Sequence, residues 1–109
     1  MPRALTPELL GLVAERFKVL AEPARLELLA ELRAGERSVG ELVEGTGMSQ
    51  ANVSKHLQHL HRTGFVSRRK EGLYVLYALA DADVFRLCDI MCGRLESEER
   101  KRRKVLRAV

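Results

Sequence analysis

The chain carries two cysteines, Cys88 and Cys92, which stand four positions apart. On a helix this spacing places both thiols on one face. Paired thiolates suit a soft metal ion, and thiols are also the groups that oxidation or persulfidation modifies. The other interpretation is structural, because free cysteines are among the most buried residues and pack as small hydrophobes. An intrahelical disulfide is disfavoured by its geometry, and two cysteines do not make a secreted disulfide framework.

Positive charge is concentrated in two short stretches of a chain whose net charge is +4. Residues 100–107 hold six basic side chains and no acidic one, and the other 13 basic residues are outnumbered by the 15 acidic ones. The second stretch, Lys55–Lys70, holds five basic residues, all three histidines and no Asp or Glu. Such local charge indicates a polyanionic partner, although charge runs also occur on ordinary solvated surfaces.

The pattern of apolar residues and turn signals predicts five helices and one hairpin. Helix starts are indicated by capping side chains or a first-turn proline at Thr6, Pro23, Ser38, Ser49 and Asp81. Residues 65–69 and 73–79 are rich in β-branched and aromatic residues and flank the turn Lys70-Glu71-Gly72, which is typical of a β-hairpin. The last helix is expected to carry the following residues along one side: Val84, Leu87, Cys88, Met91, Cys92 and Leu95.

The order of these elements predicts a mainly α fold with a β-hairpin wing (α+β). A short helix, a glycine-containing turn and a longer helix form a helix-turn-helix, and a hairpin directly after it makes the winged variety. We expect one winged helix-turn-helix domain over residues 1–99, with five helices and a two-stranded wing, followed by a basic tail over residues 100–109. The absence of a long apolar run or a signal peptide predicts a cytoplasmic protein without a membrane partner.

Four segments carry a family resemblance: Phe17–Leu26, Val39–Leu42, Met48–Leu57, and Gly64–Val66 with Arg69–Gly72. In their order and spacing they resemble the opening signature, first DNA-reading helix, recognition helix and wing of the ArsR/SmtB family of metal- and stress-responsive repressors. The resemblance covers residues 12–96. It implies a homodimer, paired through its terminal helices, that binds double-stranded operator DNA near its own promoter and releases it when an effector binds.

The resemblance also implies which residues contact DNA. It aligns Gln50, Ala51, Ser54 and Lys55 with the groove-facing positions of the recognition helix, whose first turns enter the major groove. Glutamine pairs with adenine edges, serine approaches any base, and lysine reaches guanine or phosphate. Phosphate contacts are expected from Arg62, Arg68, Arg69 and Lys70. Leu73 stands where the family often has another basic residue, which argues against a wing tip in the minor groove.

Three histidines and one serine of the same region receive other roles. His56 is expected to pack or to lie near a phosphate, and His59 and His61 are expected at the surface. Ser49 is expected to cap the recognition helix.

The known sensor sites of the family do not match this chain. Residues 38–43, in the first DNA-reading helix, contain no cysteine for a soft metal. Asp81 and Asp83 are followed by Arg94 and Ser97 where zinc-sensing members carry His and His or Glu. No metal site is therefore assigned, and Cys88 and Cys92 stay the candidate sensor, for a soft metal or a thiol modification. In this family their helix packs across the two-fold axis, so they also suit a dimer core.

Three other functions compete with this one. An enzyme would need a nucleophile with a base, paired carboxylates, a phosphate-binding glycine loop or an open metal site, and none is present, so we predict no enzymatic activity. A winged-helix protein–protein interaction module is disfavoured by Lys55 and the basic span Lys55–Lys70. A repressor with no thiol or metal sensing stays an alternative.

Overall fold

The computed structural model describes residues 3–108, which form five helices and a small antiparallel sheet. The helices are α1 (Pro7–Leu20), α2 (Pro23–Leu32), α3 (Val39–Thr46), α4 (Gln50–Arg62) and α5 (Val84–Ala108). The strands are β1 (Arg37–Ser38), β2 (Val66–Glu71) and β3 (Tyr74–Leu79), in the order β1-β3-β2. The predicted fold class, mainly α with a hairpin wing, is confirmed. Met1, Pro2 and Val109 lie outside the described residues.

Three helices begin at side-chain caps that the sequence indicated. The hydroxyls of Thr6 and Ser49 accept hydrogen bonds of 3.2 Å from the backbone N–H groups of Leu9 and Asn52. Ser38 forms a full capping box, because its hydroxyl accepts from the Glu41 backbone N–H while the Glu41 carboxylate accepts from the Ser38 backbone N–H. These bonds satisfy N–H groups that the first helical turn leaves without a partner.

The structure differs from the prediction at one edge of the sheet and at the start of the last helix. Strand β1 was not predicted; it pairs Arg37 with Tyr77 and Ser38 with Leu76 and adds a third strand to the hairpin. Helix α5 begins at Val84 rather than directly after Asp81, because the Asp81 carboxylate accepts from the Asp83 backbone N–H and forms a turn before the helix.

Helix α5 also continues through the residues predicted to form a tail. It runs without interruption to Ala108, so the basic residues 100–107 are helical. The division into a domain over residues 1–99 and a tail stays a prediction.

The core lies between α2, α3, α4 and the hairpin. Its fully buried side chains include Leu28, Leu29, Leu32, Leu42, Val53, Leu57 and Leu60. Helix α5 is attached at its start, where Val84 is buried and Phe85 packs on the core with the Arg33 guanidinium 4.6 Å from its ring centre. Farther along α5, Leu87, Met91 and Leu95 are exposed in the single chain. Among the described residues, no helix has the length and apolar character needed to cross a membrane.

Candidate nucleic-acid interface

Helix α4 has one buried face and one polar, solvent-facing side. Val53, Leu57 and Leu60 are fully buried, which fixes the rotation of the helix about its axis. The residues predicted to read bases lie on the other side: Gln50, Ala51 and Lys55 are exposed and Ser54 is partly exposed. With about 100° between successive helical residues, these four residues share an arc of about 140°. Their common placement agrees with the prediction, and their contacts with DNA stay a prediction.

The turn before α4 holds this helix at a fixed angle to α3. Gly47 ends α3 with a left-handed φ of 74°, a conformation that favours glycine. Thr46, the last residue of α3, stabilises the turn. Its hydroxyl donates to the Leu42 carbonyl at 2.7 Å and accepts from the Met48 backbone N–H at 3.3 Å. Ser49 then caps α4, as predicted. The two helices and this turn form the helix-turn-helix.

The polar side of α4 also includes a residue that was not predicted from the sequence. Gln58 is exposed and lies one turn beyond Ser54, near the middle of the same arc. Together with His61, Arg62 and Arg68 it lines an open depression between the end of α4 and the hairpin. The helical spacing from Ser54 and from Arg62 could have identified it. Arg62, predicted to contact phosphate, is exposed, and that contact stays a prediction; His59 and His61, predicted at the surface, are half-buried.

The hairpin carries basic side chains on the side of this depression. Along β2, side chains alternate between the two faces of the sheet, so Lys70 shares the face of Arg68. Within residues 3–108, neither Arg68 nor Lys70 forms an ion pair with a carboxylate. At the tip, Gly72 has a φ of 60° and Leu73 is fully exposed.

Arg69 is bound differently from the other predicted phosphate ligands. Its guanidinium pairs with both carboxylate oxygens of Glu36 and with one oxygen of Glu71, all at 2.8 Å. The hydrogen bonds and charge of Arg69 lower the pKa of the Glu36 carboxyl. No local sequence pattern indicates this pairing, because Glu36 lies 33 positions away.

His56 lies on the buried side of α4, so the packing role is the one that the structure supports. Its Nδ1 accepts a hydrogen bond of 3.1 Å from Nε of Arg25, and Nη1 of Arg25 donates to the Val19 carbonyl at 3.3 Å. Burial, and then the positive charges of Arg25 and Lys55, lower the pKa of His56. A neutral imidazole with an unprotonated Nδ1 fits this position.

The two cysteines lie one turn apart in the first half of α5. Cys88 is half-buried and Cys92 is exposed in the single chain, and both are free thiols. They neighbour the exposed apolar residues Met91 and Leu95. Within residues 3–108, no three side chains of His, Cys, Asp or Glu come together as a metal site in one chain.

The arrangement defines a winged helix-turn-helix protein, and its similarity to known proteins narrows the class further. The family model described as "Bacterial regulatory protein, arsR family" matches residues 22–68 of this chain. The HTH-type transcriptional regulator Rv0081 of Mycobacterium tuberculosis is 42% identical over 77 residues, which cover 70% of this chain and 68% of that one. Its crystal structure superposes with a TM-score of 0.76 at 35% identity, covering 89% of this chain and 98% of that one.

Two further relatives agree with this assignment. The HTH-type transcriptional repressor SmtB of M. tuberculosis is 39% identical over 74 residues, or 68% of this chain and 55% of that one. A homodimeric winged helix-turn-helix DNA-binding domain from Mycobacterium bovis superposes with a TM-score of 0.74 at 34% identity, covering 89% of this chain and 90% of that one. The chain therefore belongs to the arsR family of bacterial regulatory proteins, which are DNA-binding transcriptional regulators and not enzymes.

Proposed function

We propose that the chain is a homodimeric transcriptional repressor that acts in the cytoplasm and reads its operator with the polar side of α4. The observation that carries this proposal is the division of α4 into a fully buried stripe and a solvent-facing arc that contains the exposed Gln50 and Lys55 and the partly exposed Ser54. Because the buried stripe fixes the helix, this arc faces outward at a constant angle, as major-groove recognition requires.

The side chains on the arc divide into base-reading and phosphate-binding groups. Gln50 and Ser54 lie in the first two turns, where a glutamine amide suits an adenine edge and a hydroxyl suits any base. Lys55 stands beside them and reaches guanine or phosphate. Arg62 at the end of α4 and Arg68 on β2 border one depression, and both supply positive charge for phosphates without reading sequence.

The proposed dimer pairs two copies through α1 and α5. Phe17 on α1 is 57% exposed, and Met91 and Leu95 on α5 are 59% and 58% exposed. Large apolar side chains that are this exposed on two helices indicate a surface that a partner covers. The homodimeric M. bovis domain, which resembles this chain over 89% of its length, supports a second copy as that partner.

Selection from a random pool of duplexes tests the repressor proposal, because the enriched sequence itself identifies the operator. A dimer presents two α4 helices, so the enriched sequence is expected to be an inverted repeat with half-sites about one helical turn, or a multiple of it, apart. A reporter driven by a promoter that contains this sequence should then be repressed by the chain. Enrichment of no sequence contradicts DNA reading, and a reporter that is activated contradicts repression.

We also propose that Cys88 and Cys92 are the place where an effector releases the operator. The support is their position: one thiol is exposed, the other is half-buried, and both adjoin the apolar surface assigned to the dimer. A bound soft metal or a modified thiol there would shift the two halves of the dimer and change the spacing of the α4 helices. Coupling of this kind is worth about 1–3 kcal/mol.

Titration of the reduced protein on its selected duplex with cadmium, lead, arsenite, peroxide and a persulfide donor tests the effector proposal. Release by one of these agents is expected for the parent chain and not for the Cys88→Ser/Cys92→Ser variant. Release of both proteins alike, or of neither, contradicts thiol sensing and leaves the cysteines as packing residues of the dimer.

A further inference from the structure

Arg69 has its charge already matched by two carboxylates. Its Nε and Nη2 atoms each lie 2.8 Å from an oxygen of Glu36, and Nη2 lies 2.8 Å from an oxygen of Glu71. Such a bidentate pair fixes the orientation of both side chains. The cluster contains two carboxylates and one guanidinium, so its net charge is negative, and it repels a phosphate rather than attracting one.

Strand alternation places this cluster on the opposite face of the hairpin from the other basic residues. Arg68 and Lys70 point to one face of β2 and Arg69 to the other. The face of Arg68 adjoins the end of α4 and is basic. The face of Arg69 adjoins the start of α3, beside a depression of about 450 Å³ that is lined by Ser38, Glu41, Glu71, Tyr74 and Leu76. One face of the hairpin is therefore basic, and the other lies against an acidic cluster formed by Glu36, Glu41 and Glu71.

The bond between Arg69 and Glu36 spans the whole sheet. Arg69 lies opposite Leu76 on the central strand β3, and Leu76 lies opposite Ser38 on β1. Glu36 directly precedes β1, so the bond joins the outer strand of the hairpin to the segment at the far edge of the sheet. Because Ser38 is also the N-cap of α3, this bond fastens the hairpin to the first helix of the helix-turn-helix.

We propose that Arg69 is a positioning residue that holds the hairpin against the start of α3, so that Arg68 and Lys70 face the DNA phosphates. In this role Arg69 itself binds no phosphate, in contrast to the role that the sequence predicted for it. The inference rests on the proposed DNA-binding function, since it concerns which hairpin residues contact the operator.

The salt dependence of operator affinity separates a positioning role from a phosphate contact. The slope of log K against log salt changes by about 0.9 for each phosphate contact, hence by about 1.8 when both protomers of a dimer are changed. Arg68→Ala is expected to weaken binding and to make the slope shallower by this amount. Arg69→Ala is expected to weaken binding with an unchanged slope, because the free hairpin adopts the binding orientation less often while the bound complex keeps the phosphate contacts of Arg68 and Lys70. A slope that becomes as shallow for Arg69→Ala as for Arg68→Ala overturns the proposal.

Glu36→Gln is the matched second variant, because it keeps the charge of Arg69 and removes its main partner. We expect faster hydrogen exchange of the β2 amides and weaker operator binding. If Glu36 merely competes with phosphate for Arg69, the variant instead binds more tightly and with a steeper salt slope, which overturns the proposal. A parent chain that binds no duplex contradicts the proposed function. In that case hydrogen exchange still decides the positioning role, because unchanged β2 exchange in both Glu36→Gln and Arg69→Ala overturns it.

Discussion

Nδ1 of His56 in α4 accepts a hydrogen bond of 3.1 Å from Nε of Arg25 in α2, and His56 is only 8% exposed. The same guanidinium donates to the carbonyl of Val19 at the end of α1. One partly buried polar contact thus joins the first two helices to α4, the helix proposed to face DNA. Because Nδ1 must be unprotonated to accept this bond, the contact depends on a neutral imidazole.

This contact makes the free energy of unfolding depend on pH. Burial and the positive charges of Arg25 and Lys55 lower the pKa of His56 below its ordinary value of about 6.5, so the unfolded chain binds a proton more readily than the folded chain. The contribution of neutral His56 to the free energy of unfolding is therefore fully present above pH 6.5 and is lost as the pH falls below this value. Urea unfolding at pH 7.5 and pH 5.5 measures the loss, which should be smaller in His56→Asn. An equal loss in both proteins assigns the pH dependence to other groups.

Removing the capping box at the start of α3 should lower stability. Ser38→Ala deletes the acceptor for the Glu41 backbone N–H, and N-cap losses of this kind cost about 1 kcal/mol. The urea midpoint should fall without a change in m-value. Ser67→Ala makes the same chemical change at an exposed site on β2 and serves as the control. Equal midpoints for the two variants would show that the cap contributes nothing measurable.

A charge in the centre of the exposed α5 surface should separate the proposed dimer. Met91→Glu buries a carboxylate in the interface if two copies pair there, so light scattering should find a monomer at concentrations where the parent is dimeric. Operator affinity should fall by about 10²-fold, because each half-site is then bound singly. Ala30→Glu places the same side chain at an exposed site on α2 and should stay dimeric. A dimeric Met91→Glu protein contradicts the assigned interface.

Features set by neighbouring residues in the chain could be predicted from the sequence. Ser38 and Ser49 indicate the starts of α3 and α4, and the spacing of Val53, Leu57 and Leu60 identifies the buried side of α4. The exposed arc is the part of the α4 surface that these buried residues leave facing solvent. For this reason the helix-turn-helix and the solvent-facing position of the residues proposed to contact DNA could be inferred from the sequence alone.

Features that depend on distant partners could not be predicted in the same way. Strand β1 has two residues and exists because it pairs with β3, about 40 positions away. The partner of Arg69 is Glu36, 33 positions earlier, and the partner of His56 is Arg25, 31 positions earlier. No local pattern encodes these contacts, so the sequence did not indicate that Arg69 binds Glu36 and left the role of His56 open.

The central claim is that the exposed arc of α4 reads DNA sequence, and fluorescence anisotropy on two duplexes tests it most directly. One duplex carries the selected operator, and the other has the same length and base composition in scrambled order. Gln50→Ala removes a side chain from the arc, while Asn52→Ala changes an exposed residue of α4 outside it. We predict that Gln50→Ala loses about 1–3 kcal/mol of discrimination between the duplexes, whereas Asn52→Ala keeps it. Equal affinity of the parent chain for both duplexes, or equal discrimination by Gln50→Ala and the parent, would contradict the claim.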